Sequence, residues 1–182
     1  MSRRIERYTP LQLALHWLMA LMIAGGLVMG GMIEDMPLSP LKLKLLSWHK
    51  WNGITVLLLA ILRLAVRYAT GTPPLPASVP VWQQWLARAG HGLLYLLMIL
   101  IPLSGWLMSS AKGFPVNYFG VLPLPDLIGK DAGLADWLKL GHERLCQLLL
   151  VALAAHVAAA LKHHYFDRDT ILQRMLPFIS QR

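Results

Sequence analysis

Histidine is the residue to follow in this chain. Seven are present, in a sequence where charged residues make up only 14% and mean hydropathy is +0.51. Apolar surroundings penalise an imidazole that lacks a partner, because no water is there to satisfy it. His142 and His156 lie fourteen residues apart on one apolar segment. On a helix that is just under four turns, about 21 Å of rise with a mismatch of about 40° around the axis. One helix therefore holds both imidazoles on one face, one toward each side of a hydrocarbon core roughly 30 Å thick. The chemistry this spacing suits is metal coordination at two levels of a bilayer.

The elements that must position these residues follow from composition. Hydrophobic residues are 56% of the 182, too many for an ordinary soluble domain. Four apolar runs approach the ~20 residues a helix needs to cross a bilayer. With their flanks they predict spans at about 10–32, 45–68, 89–110 and 138–165. The fold class expected is all-α, an integral membrane four-helix bundle, with residues 1–182 forming a single domain. The first run follows Arg3, Arg4 and Arg7. It is too long for a signal-peptide core and no small-residue cleavage site follows, so it reads as a retained span. Pro102 is expected to kink the third span. The second connection, rich in proline, ends in Trp82 and Trp85, expected on a short interfacial helix. The third connection, about 112–136, is broken by glycine and proline and could cap one end of the bundle. Cys146 stands alone, which excludes an intrachain disulfide and covalent haem attachment through C-x-x-C-H.

The charge of +8 has to be read by side. The N-terminal tail, the second connection and the C-terminus carry ten basic residues: Arg3, Arg4, Arg7, Arg63, Arg67, Arg88, Lys162, Arg168, Arg174 and Arg182. Three acids, Glu6, Asp167 and Asp169, accompany them. The other side mixes Lys42, Lys44, Lys50, Lys112, Lys130, Lys139 and Arg144 with six acids. The positive-inside rule then predicts that both termini are cytoplasmic. The basic balance reflects topology, and no nucleic-acid partner is expected.

Depth sorts the histidines. His16 lies nine residues past Arg7, about 13 Å along a helix, and His156 six before Lys162, about 9 Å from the same side. His49 follows Lys44 by five residues and His142 follows Lys139 by three, about 8 and 5 Å in from the opposite side. Haem iron in a low-spin electron-transfer centre takes two axial imidazoles, so four histidines at two matched depths suit two non-covalent haems b. His91, His163 and His164 belong at the inner interface. Gly30 lies fourteen residues after His16, where a missing side chain gives a macrocycle room. Gly53 follows His49 by one turn. Arg63 and Arg67 share the face of His49 and need an anion, which haem propionates or a quinone pocket would supply.

Plainer readings exist for each residue. A histidine inside a bundle can simply bond a neighbouring helix, the reading preferred for His164. His91 and His163 are equally readable as interface anchors, and the two arginines as snorkelling topology signals. Cys146 reads as a small buried hydrophobe. Gly26 and Gly30 match a small-xxx-small packing pattern compatible with a homodimer.

The residues also carry a resemblance. The landmarks are His16-Trp17-Leu18, Trp48-His49, Ile61-Leu62-Arg63-Leu64 before Thr72-Pro73-Pro74, and Gly90-His91-Gly92-Leu93-Leu94-Tyr95. The most specific is the ending, Ala155-His156 through Lys162-His163-His164-Tyr165-Phe166, followed by Leu172, Met175 and Pro177. Over almost its whole length the chain resembles the bacterial cytochrome b561 family of small four-helix dihaem proteins of the inner membrane. The resemblance implies haem b ligation by His16, His49, His142 and His156. It also implies a quinone site on the cytoplasmic side near His91 and His163. It is nearest to a superoxide oxidase branch, which passes electrons from periplasmic superoxide through both haems to ubiquinone.

The reading is then a multi-pass oxidoreductase of the bacterial inner membrane, a superoxide:ubiquinone oxidoreductase. Electrons enter at the His49/His142 haem and leave through the His16/His156 haem to ubiquinone, with His91, His163 and Arg63 as quinone or propionate contacts. Lys42, Lys44, Lys50 and Arg144 are candidates to surround the entry site. A second reading is a non-catalytic cytochrome b subunit linking the quinone pool to a periplasmic redox enzyme. A third, a proton-coupled transporter with histidine relays, lacks the repeated halves of that class.

Overall fold

The helix starts are written in capping residues. In the computed structural model, which describes residues 7–76 and 78–176, α1 (Pro10–Asp35) opens on a capping box. Thr9 Oγ1 accepts from Gln12 N (3.2 Å), and Thr9 N–H donates to Gln12 Oε1 (2.9 Å). α2 (Pro40–Thr70) opens on Ser39, with Pro40 in its first turn. It ends at Gly71, whose φ of 70° a side chain would make costly. α3 (Val81–Ala111) follows Pro80. α4 (Ala132–Tyr165) is capped by Asp131, which accepts from Leu134 N (3.0 Å). Arg3, Arg4, Glu6, Pro177 and Arg182 lie outside the described residues.

All four helices are long and apolar enough to cross a membrane. The chain is an integral membrane four-helix bundle. α1 packs on α2, α2 on α3 and α3 on α4, whereas neither α1 nor α2 approaches α4 as closely. α4 consequently buries only Ala135 and Leu149, and its apolar outer face is left for lipid. Met19, Val56, Ala60 and Met98 form the packed core. Val56 and Ala60 lie between His49 and Arg63, and Met98 between His91 and Gly105, so the core separates two levels of polar residues.

Trp82 and Trp85 do not form a separate interfacial helix. They sit in the first turns of α3, which runs unbroken from Val81. Pro80 starts the helix and nothing between it and Pro102 stops it.

The third connection covers one end of the bundle. A short antiparallel pair, β1 (Asn117–Tyr118) and β2 (Leu122–Pro123), is tied down to α2. Trp51 Nε1–H donates to Asn117 O (2.7 Å) and Lys50 Nζ to Phe114 O (3.0 Å), while Thr55 Oγ1 meets the Tyr118 hydroxyl (2.8 Å). We call this the loop end. The opposite, terminal end is closed by a turn over residues 166–176. Trp17 Nε1–H donates to Met175 O (2.9 Å) and Arg174 Nη1 to Pro74 O (2.7 Å). Gln12 Nε2 bonds both Thr70 Oγ1 and Gly71 O at 2.8 Å, locking α1 to α2 there.

Candidate functional site

Six of the seven histidines fall into two groups or the turn beside one of them. At the loop end, His49 of α2 faces His142 of α4, ring centres 6.3 Å apart. Both line a cavity of about 540 Å³, within the range of small-molecule and cofactor sites. His142 Nδ1 lies 3.1 Å from Ile101 O. A carbonyl only accepts, so Nδ1 carries the proton and the lone pair sits on Nε2. Ser104 Oγ lies 3.0 Å from the same Nδ1. His49 Nδ1 is buried and has no hydrogen-bond partner.

Glycines on the other two helices make room for these rings. A Cβ on Gly30 of α1 would stand 3.4 Å from His49 Cε1, and one on Gly105 of α3 would stand 3.2 Å from His142 Cε1. One turn before Gly30, a Cβ on Gly26 would lie 2.6 Å from Asn52 Nδ2. Its absence lets Asn52 reach through to Met22 O (3.1 Å). The Gly26/Gly30 stripe is therefore occupied within the chain by α2 side chains, and a dimer is not needed to explain it. Gly53 has open space around it.

At the terminal end all four helices contribute. His16 of α1 and His156 of α4 have ring centres 6.4 Å apart, and His91 of α3 lies 5.5 Å from His156. Arg63 of α2 donates from Nη2 to His16 Nδ1 (2.8 Å); because a guanidinium cannot accept, His16 holds its proton on Nε2 in this arrangement. Arg63 and Arg67 both lie over the Tyr95 ring, 5.6 and 5.9 Å from its centre. The four histidines expected to pair by depth are thus brought together as expected, two by two. His91 and Arg63 join the terminal pair. His163 makes its polar contacts elsewhere, with Asp169 (2.6 Å) and Asp167 (3.1 Å) of the closing turn. His164 stacks edge-on against Tyr165.

The mouth of the loop-end cavity differs from expectation. Lys44 lies over the Trp48 ring, Lys50 bonds Phe114 O, and Arg144 bonds Gln147. None of these three lines the cavity. Lys42, Lys112 and Lys139 do, together with Glu34 and Glu143. Lys42 is tied to Met36 O (2.5 Å) and Lys139 to Glu143 (3.2 Å), so the mouth carries mixed charge.

The family comparison decides among the classes that so paired a histidine set could serve. The model of prokaryotic cytochrome b561 matches residues 7–178. The chain belongs to the prokaryotic cytochrome b561 family. Cytochrome b561 homolog 2 of Escherichia coli (strain K12) is 35% identical over 94% of this chain and 92% of its own length. The probable superoxide oxidase CybB of Yersinia pestis is 30% identical over 94% and 97%. Cytochrome b561 homolog 1 of Escherichia coli is 27% identical over 95% and 98%. As a member of this family the chain is a membrane electron-transfer cytochrome, a multi-pass protein of a bacterial membrane, and binds haem b.

Ser104, Gly105, Asn52 and Tyr95 were missed by sequence reasoning as site residues. Gly105 had a signal. It lies fourteen residues after His91, repeating the interval that separates His16 from Gly30, His49 from Arg63, and His142 from His156. Each helix thus presents one residue to each level.

Proposed function

We propose that this chain is a dihaem b cytochrome that carries electrons from periplasmic superoxide to ubiquinone. One haem would be held by His49 and His142, the other by His16 and His156. The observation that carries this reading is the ring separation. Two imidazoles facing each other through one metal ion, with nitrogen–metal bonds of about 2.0–2.1 Å and ring centres about 1.1 Å behind each nitrogen, stand about 6.3 Å apart. The two pairs lie at 6.3 and 6.4 Å. His91 and His156, at 5.5 Å, fit that arrangement less well. The donor chemistry agrees. His142 gives its second N–H to the Ile101 carbonyl, as metal-bound histidines do. The glycine cradles at residues 30 and 105, which leave space beside the His49 and His142 rings, suit rings held for a ligand.

The haems, when bound, supply one-electron redox centres on each side of the membrane. His49 and His142 would hold one and His16 and His156 the other, with the helix lengths between them setting the distance. His16 can ligate through Nε2 only once its proton has moved to Nδ1. That proton then opposes Arg63, which is released to pair with an anion, a haem propionate or a quinone oxygen. The terminal end, which bears Arg63, Arg67, Arg88, Lys162, Arg168 and Arg174, faces the cytoplasm in this reading. Ubiquinone would then be reduced there, beside His91 and His163, with two superoxide anions, one quinone and two protons giving two dioxygen molecules and one quinol. The name of the Yersinia pestis relative supports superoxide as donor.

Stopped-flow mixing of superoxide with the oxidised, haem-loaded protein tests the reading. The expected result is rapid reduction at the haem bands, reoxidation on adding a short-chain ubiquinone, and loss of the fast phase in His49→Ala. Haem bands that superoxide leaves oxidised would instead support the electron-transfer subunit.

A further inference from the structure

The closing turn of the terminal end is built to hold one side chain. His163 Nδ1 lies 2.6 Å from Asp169 Oδ2. The carboxylate only accepts, so Nδ1 bears the proton and Nε2 is left to face away from the turn. Asp169 is itself fixed. Its Oδ1 accepts from Ile171 N–H (2.9 Å), its own N–H donates to His163 O (3.1 Å), and its side chain is only 8% exposed. The preceding residue, Arg168, sits at φ 51°. That left-handed conformation costs a non-glycine residue energy and persists where its surroundings over-determine it. The turn is strapped at two further points, to Trp17 through Met175 O and to Pro74 through Arg174. Trp17 touches the His16 ring edge-on at 5.1 Å, so the strap is joined to the terminal histidine group. Asp167, the second carboxylate near His163, is shared with Lys162 Nζ (2.6 and 2.9 Å). Asp169 is therefore the partner that belongs to His163.

A histidine whose one nitrogen is pinned to a buried carboxylate is the arrangement that fixes tautomer and aim in general acid–base sites. We propose that Asp169 is a positioning residue that orients His163 as the proton donor to ubiquinone, the strap over residues 166–176 serving to hold the pair. This rests on the quinone reading above. Reduction of the quinone takes two electrons, delivered one at a time from the outer donor, and two protons. For each proton, His163 Nε2 first takes up a proton from water on the same side of the membrane, the positive charge facing the Asp169 carboxylate. It then passes that proton to a quinone oxygen, which becomes a hydroxyl, leaving His163 neutral with its Nδ1–H still on Asp169.

The test uses the full-length, haem-loaded protein with a short-chain ubiquinone and three variants. In Asp169→Asn the charge is lost and one of the two accepting oxygens becomes an NH2 donor, so only one of the bonds from His163 Nδ1 and Ile171 N–H can be kept. Its kcat for quinol formation is expected to fall about tenfold or more while KM stays within about twofold. Haem content and spectra should be unchanged, and Asp169→Glu should recover part of the rate. His163→Ala should lose quinol formation and regain part of it in imidazole buffer. Asp169→Asn at the full rate beside an impaired His163→Ala overturns the role of Asp169 and leaves the quinone reading standing. A rate loss that merely follows haem loss also overturns it. His163→Ala at the full rate overturns His163 as the proton donor, and with it the role of Asp169.

Discussion

At the scale of single residues the chain works by a fourteen-residue interval. Each helix places one residue at each of two levels: His16 and Gly30, His49 and Arg63, His91 and Gly105, His142 and His156. The near-integral number of turns in that interval keeps each pair on one face. The histidines and their depths were legible in the sequence because basic residues mark the membrane boundary and the helical rise does the rest. What surrounds each ring was not. Whether Ser104 and Ile101 O meet His142, or Asn52 slips past Gly26, depends on how neighbouring helices are rotated, which no single-helix pattern records. Gly105 gives this a test. A Cβ there already lies 3.2 Å from His142 Cε1, so Gly105→Val should displace the ring. Haem content measured by pyridine haemochrome should fall from two per chain to one, with the terminal-end haem kept.

At the scale of elements, hydropathy outlined the spans, but the helices extend past the apolar windows at several ends. Pro40–Lys44, Val81–Arg88 and Ala132–Trp137 are helical although their polar composition belongs outside the hydrocarbon. Ser39-Pro40, Pro80 and Asp131 were the signals, since caps and leading prolines mark helix starts that hydropathy overlooks. At the terminal end, one glutamine ties the start of α1 to the end of α2. Gln12 completes the Thr9 capping box and bonds both Thr70 and Gly71 O, and it is 92% shielded, with 8% exposure. Gln12→Leu removes all three bonds and leaves the Gly71 carbonyl without its partner. A loss of about 1–3 kcal/mol is expected, read as a lower midpoint of thermal unfolding in detergent, with α-helix content unchanged below it.

At the scale of the molecule, α4 stands off from α1 and α2, and both imidazole pairs bridge that separation. A bundle of this size with a small packed core and an open cavity of about 540 Å³ is arranged around what it binds, and ligand binding to the folded state stabilises it by mass action. The family and the four-helix architecture were readable from the sequence. The mixed charge at the loop-end mouth was not, because Lys44, Lys50 and Arg144 turn to local partners while Lys112 and Lys139, distant in sequence, reach the cavity.

The central claim is that two bis-histidine haems are stacked in one chain. The most direct measurement is the ratio of haem b to protein in the fully loaded chain, taken with its electron paramagnetic resonance spectrum. Two haems per chain, both low-spin, are expected; one haem per chain, or high-spin iron in the loaded protein, would contradict it.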